Sequence, residues 1–214
     1  MLLKYYHRLC FIFHRKGIWP AAQFLLSRLI FRMLVTLLYE IDLTHYTEPK
    51  PNLDHGVKLL IFARQNANEI TPEIKEFLGD DQLFLDGLAQ KDVLFVLERD
   101  GQYANFGFIV YETRQSKILD VEPGIPILCN DFTHPNFRGQ GLHVVSLKLR
   151  LDWLRDQKTA TALIEVHPKN YASQKGIEKA GFTFVKKVYA FIFFFKFALL
   201  AVGKKGITYK AKII

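Results

Sequence analysis

Cysteine is scarce in this chain of 214 residues, which contains Cys10 and Cys129 and no other. The two lie far apart in sequence, form no Cys-x-x-Cys pair and belong to no four-ligand Cys and His cluster at the spacing of a zinc site. These absences exclude a disulfide framework and a structural zinc module. They predict two free thiols in a reducing, cytoplasmic setting, and no bound metal.

Acidic residues are missing from both ends of the chain. Residues 1–39 contain six Lys and Arg, residues 183–214 contain seven Lys, and neither segment has an Asp or Glu. The region between them has sixteen basic against twenty-one acidic residues, so the net charge of +8 belongs to the termini. A nucleic-acid-binding module would carry its Lys and Arg on the functional face. The pattern therefore predicts no nucleic-acid partner and favours a membrane-surface or protein contact.

A long uncharged apolar run is also lacking. A membrane-spanning helix needs about twenty nearly uncharged residues, but Arg28 and Arg32 interrupt the first apolar run and Lys196 interrupts the last. The first run continues into Glu40 instead of a small-residue cleavage site. We therefore predict neither a transmembrane span nor a signal peptide.

The first fifty residues are predicted to form a basic, apolar helical extension and a linker, followed by one folded domain at 51–214. Residues 19–39 have Pro20 at a plausible first turn and polar side chains on a narrow stripe, as in a helix. Residues 47–56 are rich in Pro and Gly, as in a linker. The helix either packs on the domain or on a second copy of the chain, giving a homodimer, or lies on an anionic bilayer through residues 1–45. Both alternatives stay open.

Apolar runs and turn residues alternate through the rest of the chain, which predicts a mixed α/β fold. Strands are predicted at 57–62, 92–98, 103–111, 125–133, 161–167, within 182–201, and at 207–214. Helices are predicted at 67–78, 80–89, 141–156 and 170–180.

A glycine-rich turn between the strand at 125–133 and the helix at 141–156 carries the clearest chemical signal. It has the sequence Arg138-Gly-Gln-Gly-Leu-His143. Gly139 and Gly141 allow a tight turn and a close approach of the backbone to an anion, and the N–H groups that open the helix are donors for it. The turn lacks the Gly-Lys-Ser/Thr of the Walker loop and the third glycine of the dinucleotide fingerprint. It predicts a cradle for a diphosphate.

A second element follows, Glu165-Val-His-Pro-Lys-Asn170 and a helix that ends in Gly181-Phe182. Together the two stretches resemble the GNAT superfamily of N-acetyltransferases. Their amino-acid sequences are most similar to those of members associated with bacterial polysaccharide and nucleotide-sugar modification. The resemblance implies the GNAT fold, a mixed and mostly antiparallel sheet with splayed central strands flanked by helices. It also implies acetyl-CoA or another acyl-CoA as co-substrate, no metal, and acyl transfer to a primary amine.

The resemblance further implies which residues bind CoA, at the end of a strand, in the turn and at the start of a helix. They are Phe132, Thr133, Arg138, Gly139, Gln140, Gly141, Leu142, His143 and Asn170. Two positions depart from the family: His143 stands where Gly or Ala is usual, and Ile177 stands where many members carry a tyrosine that protonates the leaving thiolate. A thiolate is a tolerable leaving group, so water or another residue could complete that proton transfer.

Two carboxylates are candidates for the catalytic base that an attacking amine needs. Glu165 lies five residues before Asn170, where similar N-terminal protein acetyltransferases place a catalytic glutamate. The alternative is that Glu165 is a residue at the rim of the strand without a catalytic role. Asp131 lies two residues before Thr133, and its alternative is a structural hydrogen bond.

The acceptor is predicted to be an amino sugar on a nucleotide or lipid carrier, with the protein in the cytoplasm or peripheral at the inner face of the membrane. The branch resemblance and the basic, apolar termini both favour this acceptor. Transfer to a protein or peptide amine, and a non-catalytic acyl-CoA-binding module, are the alternatives.

Overall fold

A computed structural model describes residues 17–19, 31–82, 85, 91–112, 114–193, 197–203 and 208–213. The chain divides into two compact units, a central one of Leu37–Lys186 and a terminal one of Met1–Thr36 with Lys187–Ile214. Cys10, most of the basic N-terminal segment and most of the helix predicted at 80–89 lie outside the described residues.

The strands are β1 (Phe31–Asp42), β2 (Val57–Ala63), β3 (Val93–Arg99), β4 (Gln102–Val110), β5 (Ile127–Thr133), β6 (Thr161–Val166), β7 (Thr183–Phe193), β8 (Phe197–Gly203) and β9 (Thr208–Ile213). The helices with both ends described are α1 (Pro72–Leu78), α2 (Arg114–Leu119), α3 (Leu142–Asp156) and α4 (Tyr171–Lys179). Short 3-10 helices occupy Arg64–Glu69, Gly79–Gln82 and Pro135–Phe137. The strands predicted from β2 onward are confirmed to within a few residues, and α2 was not predicted.

The sheet of the central unit has the strand order β2-β3-β4-β5-β6-β1. Neighbouring strands are antiparallel except β5 and β6, which run parallel. Helix α3 packs on this sheet through Leu147, Leu151 and Leu154, which share a core cluster with Phe95 and Ile164. The predicted fold class is therefore confirmed for the central unit, a mixed and mostly antiparallel sheet flanked by helices.

Strands β5 and β6 separate soon after they meet. Their register contains two pairs, Ile127 with Leu163 and Leu128 with Ile164, although β5 continues to Thr133. The pairing of β5 with β4 shifts register between Phe106 and Phe108, and Asn130 on β5 has a positive φ of 53°. A bulge of this kind bends a strand away from its neighbour. The edge of β5 beyond Leu128 is consequently left open toward β6.

The helix predicted at 19–39 is wrong for residues 31–39, which belong to β1. This strand pairs with β6 from Leu37 opposite Val166 to Asp42 opposite Thr161. Leu38 and Tyr39 are adjacent in sequence and both buried, so neither face of the strand is polar and the alternation that identifies a strand is absent. Ile18 and Trp19 are helical, and residues 20–30 lie outside the described part of the chain.

The central unit begins at Leu37, earlier than the predicted boundary near residue 50. Besides the pairing of β1 with β6, the backbone oxygen of Glu48 accepts a hydrogen bond of 3.2 Å from Arg155. Residues before the predicted linker therefore complete the central sheet.

In the terminal unit, β7, β8 and β9 form an antiparallel meander. Val188 pairs with Val202, and Leu199 pairs with Ala211. Within the described residues of the chain, no helix is long and apolar enough to cross a membrane.

Candidate active site

A pocket of about 620 Å³ lies in the central unit, where the end of β5, the glycine-rich loop and the start of α4 meet. Sixteen residues line it: Asp131, Phe132, Thr133, Phe137, Arg138, Gly139, Gly141, Leu142, His143, Val144, Asn170, Ala172, Ser173, Lys175, Gly176 and Lys179. The structure thus brings together all the residues predicted to bind a cofactor except Gln140.

The glycine-rich loop leads into a helix N-terminus that no side chain caps. Gly141 is the N-cap of α3 in the left-handed conformation, with φ of 78°, and no side chain caps the helix. Gly139 has φ of 77°, and no atom lies within 4 Å of where a Cβ would stand at either glycine. The backbone conformation, and not crowding, therefore selects glycine at both positions. Uncapped N–H groups at the start of a helix form a site for an anion.

Two polar side chains hold the loop in place. Gln140 accepts a hydrogen bond of 2.7 Å from Arg99 and donates one of 3.2 Å to the backbone oxygen of Asn136. Arg138 donates from Nε to the backbone oxygen of Thr133 at 3.1 Å. Gln140 therefore supports the loop from outside the pocket, while Arg138 lines the pocket itself.

The far wall of the pocket is helix α4, from its N-cap Asn170 to its last residue Lys179. Asn170 caps this helix, because its Oδ1 accepts a hydrogen bond of 3.2 Å from the backbone N–H of Ser173. Lys175 and Lys179 lie along the same wall. The positive end of the helix dipole and two lysines make this wall attractive to phosphate groups.

Asp131 reaches the pocket, but its carboxylate forms an ion pair with Arg150 on α3. The Arg150 side chain is 0% exposed and also donates to the backbone oxygens of Phe108 at 3.2 Å and Ser146 at 3.3 Å. A buried guanidinium needs a compensating carboxylate. Asp131 therefore supplies the counter-charge for Arg150, which sequence reasoning missed because the two meet only in the fold.

His143 lies between β5 and α4. Its Nε2 is 3.8 Å from Oδ1 of Asp131, and its side chain is 21% exposed. A Cβ on Gly176 would stand 2.6 Å from its Nδ1, so the glycine in α4 makes room for the imidazole. Burial lowers the pKa of His143; the Asp131 charge opposes that shift and the Arg150 charge adds to it.

Glu165 lies on β6, opposite Leu38 of β1, and is half-buried. It is not among the residues that line the pocket. Burial raises the pKa of the Cys129 thiol, and the charges of Asp131 and Glu165 raise it further. The two candidate bases thus approach the same stretch of β5. Cys129 is a free thiol.

Ile177 is fully buried in the main hydrophobic cluster. The position where the family often has a tyrosine is therefore part of the apolar core, directly beside Gly176.

A cluster of aromatic rings surrounds Phe132 at the end of β5. Phe77 of α1 contacts the rings of Tyr103, Phe106 and Phe132, at centroid distances of 5.5 to 5.8 Å. Nearby, Asn130 donates a hydrogen bond of 3.0 Å to Asp81, whose pKa is raised by burial and by the charge of Asp80. Apolar surface and a carboxylate thus lie beside the bulge of β5.

No protein-family model matches the sequence, and no curated protein matches it. Solved structures do. A tandem GNAT protein from the clavulanic acid biosynthesis pathway matches with 15% identity and a TM-score of 0.52, over 79% of this chain and 56% of that protein. A Drosophila protein matches with 12% identity and a TM-score of 0.52, over 78% of this chain and 53% of that protein. A GNAT-family acetyltransferase from Colwellia psychrerythraea matches with 20% identity and a TM-score of 0.47, over 76% and 57%.

The chain spans little more than half the length of each of these three proteins. At this level of identity the likeness concerns the fold. The two matches with a TM-score of 0.52 agree with the mixed, mostly antiparallel sheet flanked by helices. On these grounds the chain has the GNAT fold.

Proposed function

We propose that the chain is an acyl-CoA-dependent N-acyltransferase that acts on a primary amine. The observation that supports this most is the pocket itself, in which the open edge of β5 leads to an uncapped helix N-terminus lined by cationic side chains. The diphosphate of an acyl-CoA matches the helix N-terminus. Its amide-containing pantetheine arm matches the open strand edge.

In this proposal the diphosphate binds the backbone N–H groups of the loop, with Arg138 and Lys175 supplying positive charge. The pantetheine arm lies along β5, where the backbone groups of Cys129 to Thr133 face no β6 partner in the described register. Asn105 keeps this end of β5 in place, since its Nδ2 donates to the backbone oxygen of Phe132 at 2.7 Å.

The reaction is direct attack of the amine nitrogen on the thioester carbonyl. The C–N bond forms, the C–S bond breaks, and the free thiol leaves with a proton. An acceptor that arrives as an ammonium ion must first lose a proton to a base. Glu165 remains our candidate for that base, because Asp131 is committed to the buried Arg150.

For the acceptor we propose an amino sugar on a nucleotide or lipid carrier. The branch resemblance of the two motifs and the basic, apolar termini support it. A peptide amine is the second enzymatic candidate, and the position of Glu165 before Asn170 favours it.

A non-catalytic acyl-CoA-binding module is also favoured by one observation, the buried Ile177 at the tyrosine position. Measured turnover with any amine would exclude the binding module and support the acyltransferase.

The test is thiol release from acetyl-CoA with amino-sugar nucleotides, peptides and polyamines, alongside calorimetric measurement of CoA binding. We expect turnover with the amino-sugar class, and a loss of 10²-fold or more, the order expected for a general base, in Glu165→Gln with CoA affinity unchanged. Exposed Glu122→Gln is the control. CoA binding without turnover for any amine would establish the binding module instead.

We further propose that, of residues 1–45, the basic and apolar segment before Leu37 contacts the anionic inner face of the membrane, because Leu37–Asp42 pair with β6 in the central sheet. Co-sedimentation with vesicles containing anionic lipid should occur at low salt and weaken at high salt. Vesicles of neutral lipid are the control, and equal binding to both would contradict an electrostatic contact. Sedimentation equilibrium of the same protein tests the homodimer.

A further inference from the structure

The pocket contains one imidazole, that of His143, whose Nε2 lies 3.8 Å from the Asp131 carboxylate. Among the other ionisable residues that line it, Asp131 pairs with Arg150, while Arg138, Lys175 and Lys179 carry cationic side chains suited to phosphate groups. His143 makes no hydrogen bond with a described residue, since the 3.8 Å to Asp131 exceeds hydrogen-bonding distance.

The position of the imidazole along the pocket decides what it meets. The last pair of β5 with β6 is at Leu128, and the open edge runs from there to Thr133, where the loop begins. His143 lies against Asp131, in the middle of this edge. If the diphosphate binds the loop, the arm runs back along β5 and its thioester end lies toward the point where the strands separate. The imidazole therefore faces the arm and not only the diphosphate.

Two glycines show that the fold accommodates this arrangement. Gly176 leaves room for the imidazole, and Gly107 leaves room for the Arg150–Asp131 pair behind it, where a Cβ would stand 2.8 Å from the Asp131 carboxylate. Gly176 is buried in α4, where glycine costs about 1 kcal/mol relative to alanine. The packing of His143 offers a physical reason for that glycine.

We propose that His143 is the catalytic residue that carries the proton from the attacking amine to the leaving sulfur, the task for which Ile177 offers no group. This assignment rests on the proposed acyltransferase function. As the C–N bond forms, the nitrogen becomes positively charged and an imidazole nitrogen takes its proton. As the C–S bond breaks, the imidazolium gives that proton to the thiolate. The products are the amide and free CoA thiol, and the imidazole returns to its neutral form.

The charged groups around His143 suit this role. Asp131 on β5 stabilises the transient imidazolium, and Arg150 on α3 together with Lys175 and Lys179 on α4 opposes it. Burial also favours the neutral ring. A ring that is neutral at rest and briefly cationic is suited to proton transfer near neutral pH.

The first test follows the histidine without turnover. The Cε1–H signal of His143, assigned by its loss in His143→Gln, is titrated by NMR with CoA bound and with desulfo-CoA bound. We expect the Cε1–H chemical shift of the neutral ring to differ between the CoA and desulfo-CoA complexes, because only CoA carries a sulfur atom next to the ring. Equal chemical shifts in the two complexes would place the ring at the diphosphate and overturn the proposal.

The second test uses turnover. In His143→Gln, kcat should fall about 10²-fold or more while the Kd of CoA changes little, and the acidic limb of the pH profile should disappear. Added imidazole should restore activity to His143→Ala, and exposed His55→Gln is the control. Wild-type turnover that His143→Gln leaves intact would overturn the role of His143 alone; absence of wild-type turnover would overturn the acyltransferase function itself.

Discussion

The guanidinium of Arg150 lies directly against the backbone of Gly107, where a Cβ atom would fall 2.6 Å from its Nη1. This glycine is on β4 at the register shift toward β5. Because Gly107 has no side chain, the fully buried side chain of Arg150 can reach the carboxylate of Asp131. Asp131 lines the pocket, so the contact connects α3 to the pocket.

Gly107→Ala should destabilise the fold, because the new methyl group overlaps a buried side chain that cannot move away. We expect a loss of about 1–3 kcal/mol in the free energy of unfolding, the usual range for overpacking, measured by chemical denaturation. In a double-mutant cycle with Arg150→Leu, the two effects should be strongly non-additive. Additive losses would contradict the contact.

Asp131→Asn should be more damaging to stability than Glu165→Gln. The first leaves a fully buried guanidinium without its counter-charge, which costs about 3–5 kcal/mol; the second changes a half-buried strand residue. Thermal unfolding of both variants measures this. An Asp131→Asn protein as stable as the wild type, with turnover alone lost, would instead identify Asp131 as the base.

Gly141→Ala should weaken CoA binding. Alanine in the left-handed region costs about 1–2 kcal/mol per residue, so the loop will shift the N–H groups away from the diphosphate. Gly124→Ala is the matched control, since it also has positive φ and open space around it but lies outside the pocket. We expect similar losses of stability in both and weaker CoA binding, by calorimetry, in Gly141→Ala alone. Equal affinity in the two would contradict the cradle.

The protein should become less stable as the pH is lowered below about 6.5, the ordinary pKa of histidine. Burial lowers the pKa of His143 in the folded state, so the unfolded chain binds more protons between that lowered pKa and about 6.5. The free energy of unfolding should therefore decrease as the pH falls through this window. His143→Gln should remove this part of the pH dependence, as measured by denaturation at several pH values. An unchanged slope would assign the effect to other groups.

The local motifs could be predicted because their signals lie within a few residues of one another. The loop at Arg138–His143 depends on glycines with positive φ at 139 and 141, and such a conformation selects its residue type wherever the loop occurs. The start of the helix predicted at 170 is likewise local, because Asn170 bonds a backbone group three residues along the chain. Local backbone preference is therefore sufficient to identify both.

Strand β1 could not be predicted, because the adjacent residues Leu38 and Tyr39 are both buried and its apolar pattern fits a helix as well as a strand. Helix α2 was missed for a related reason: it is six residues long, too short to show a helical period.

The sequence by itself determined the order of most strands and helices, the glycine-rich loop and the start of α4, since these depend on the conformations that neighbouring residues prefer. The tertiary structure alone decided which side chains meet: Arg150 with Asp131, nineteen residues apart, and His143 with Gly176. These pairs depend on how α3 and α4 pack on β5. A buried charge or ring is placed by the partners that the whole fold brings to it, and no local preference encodes them.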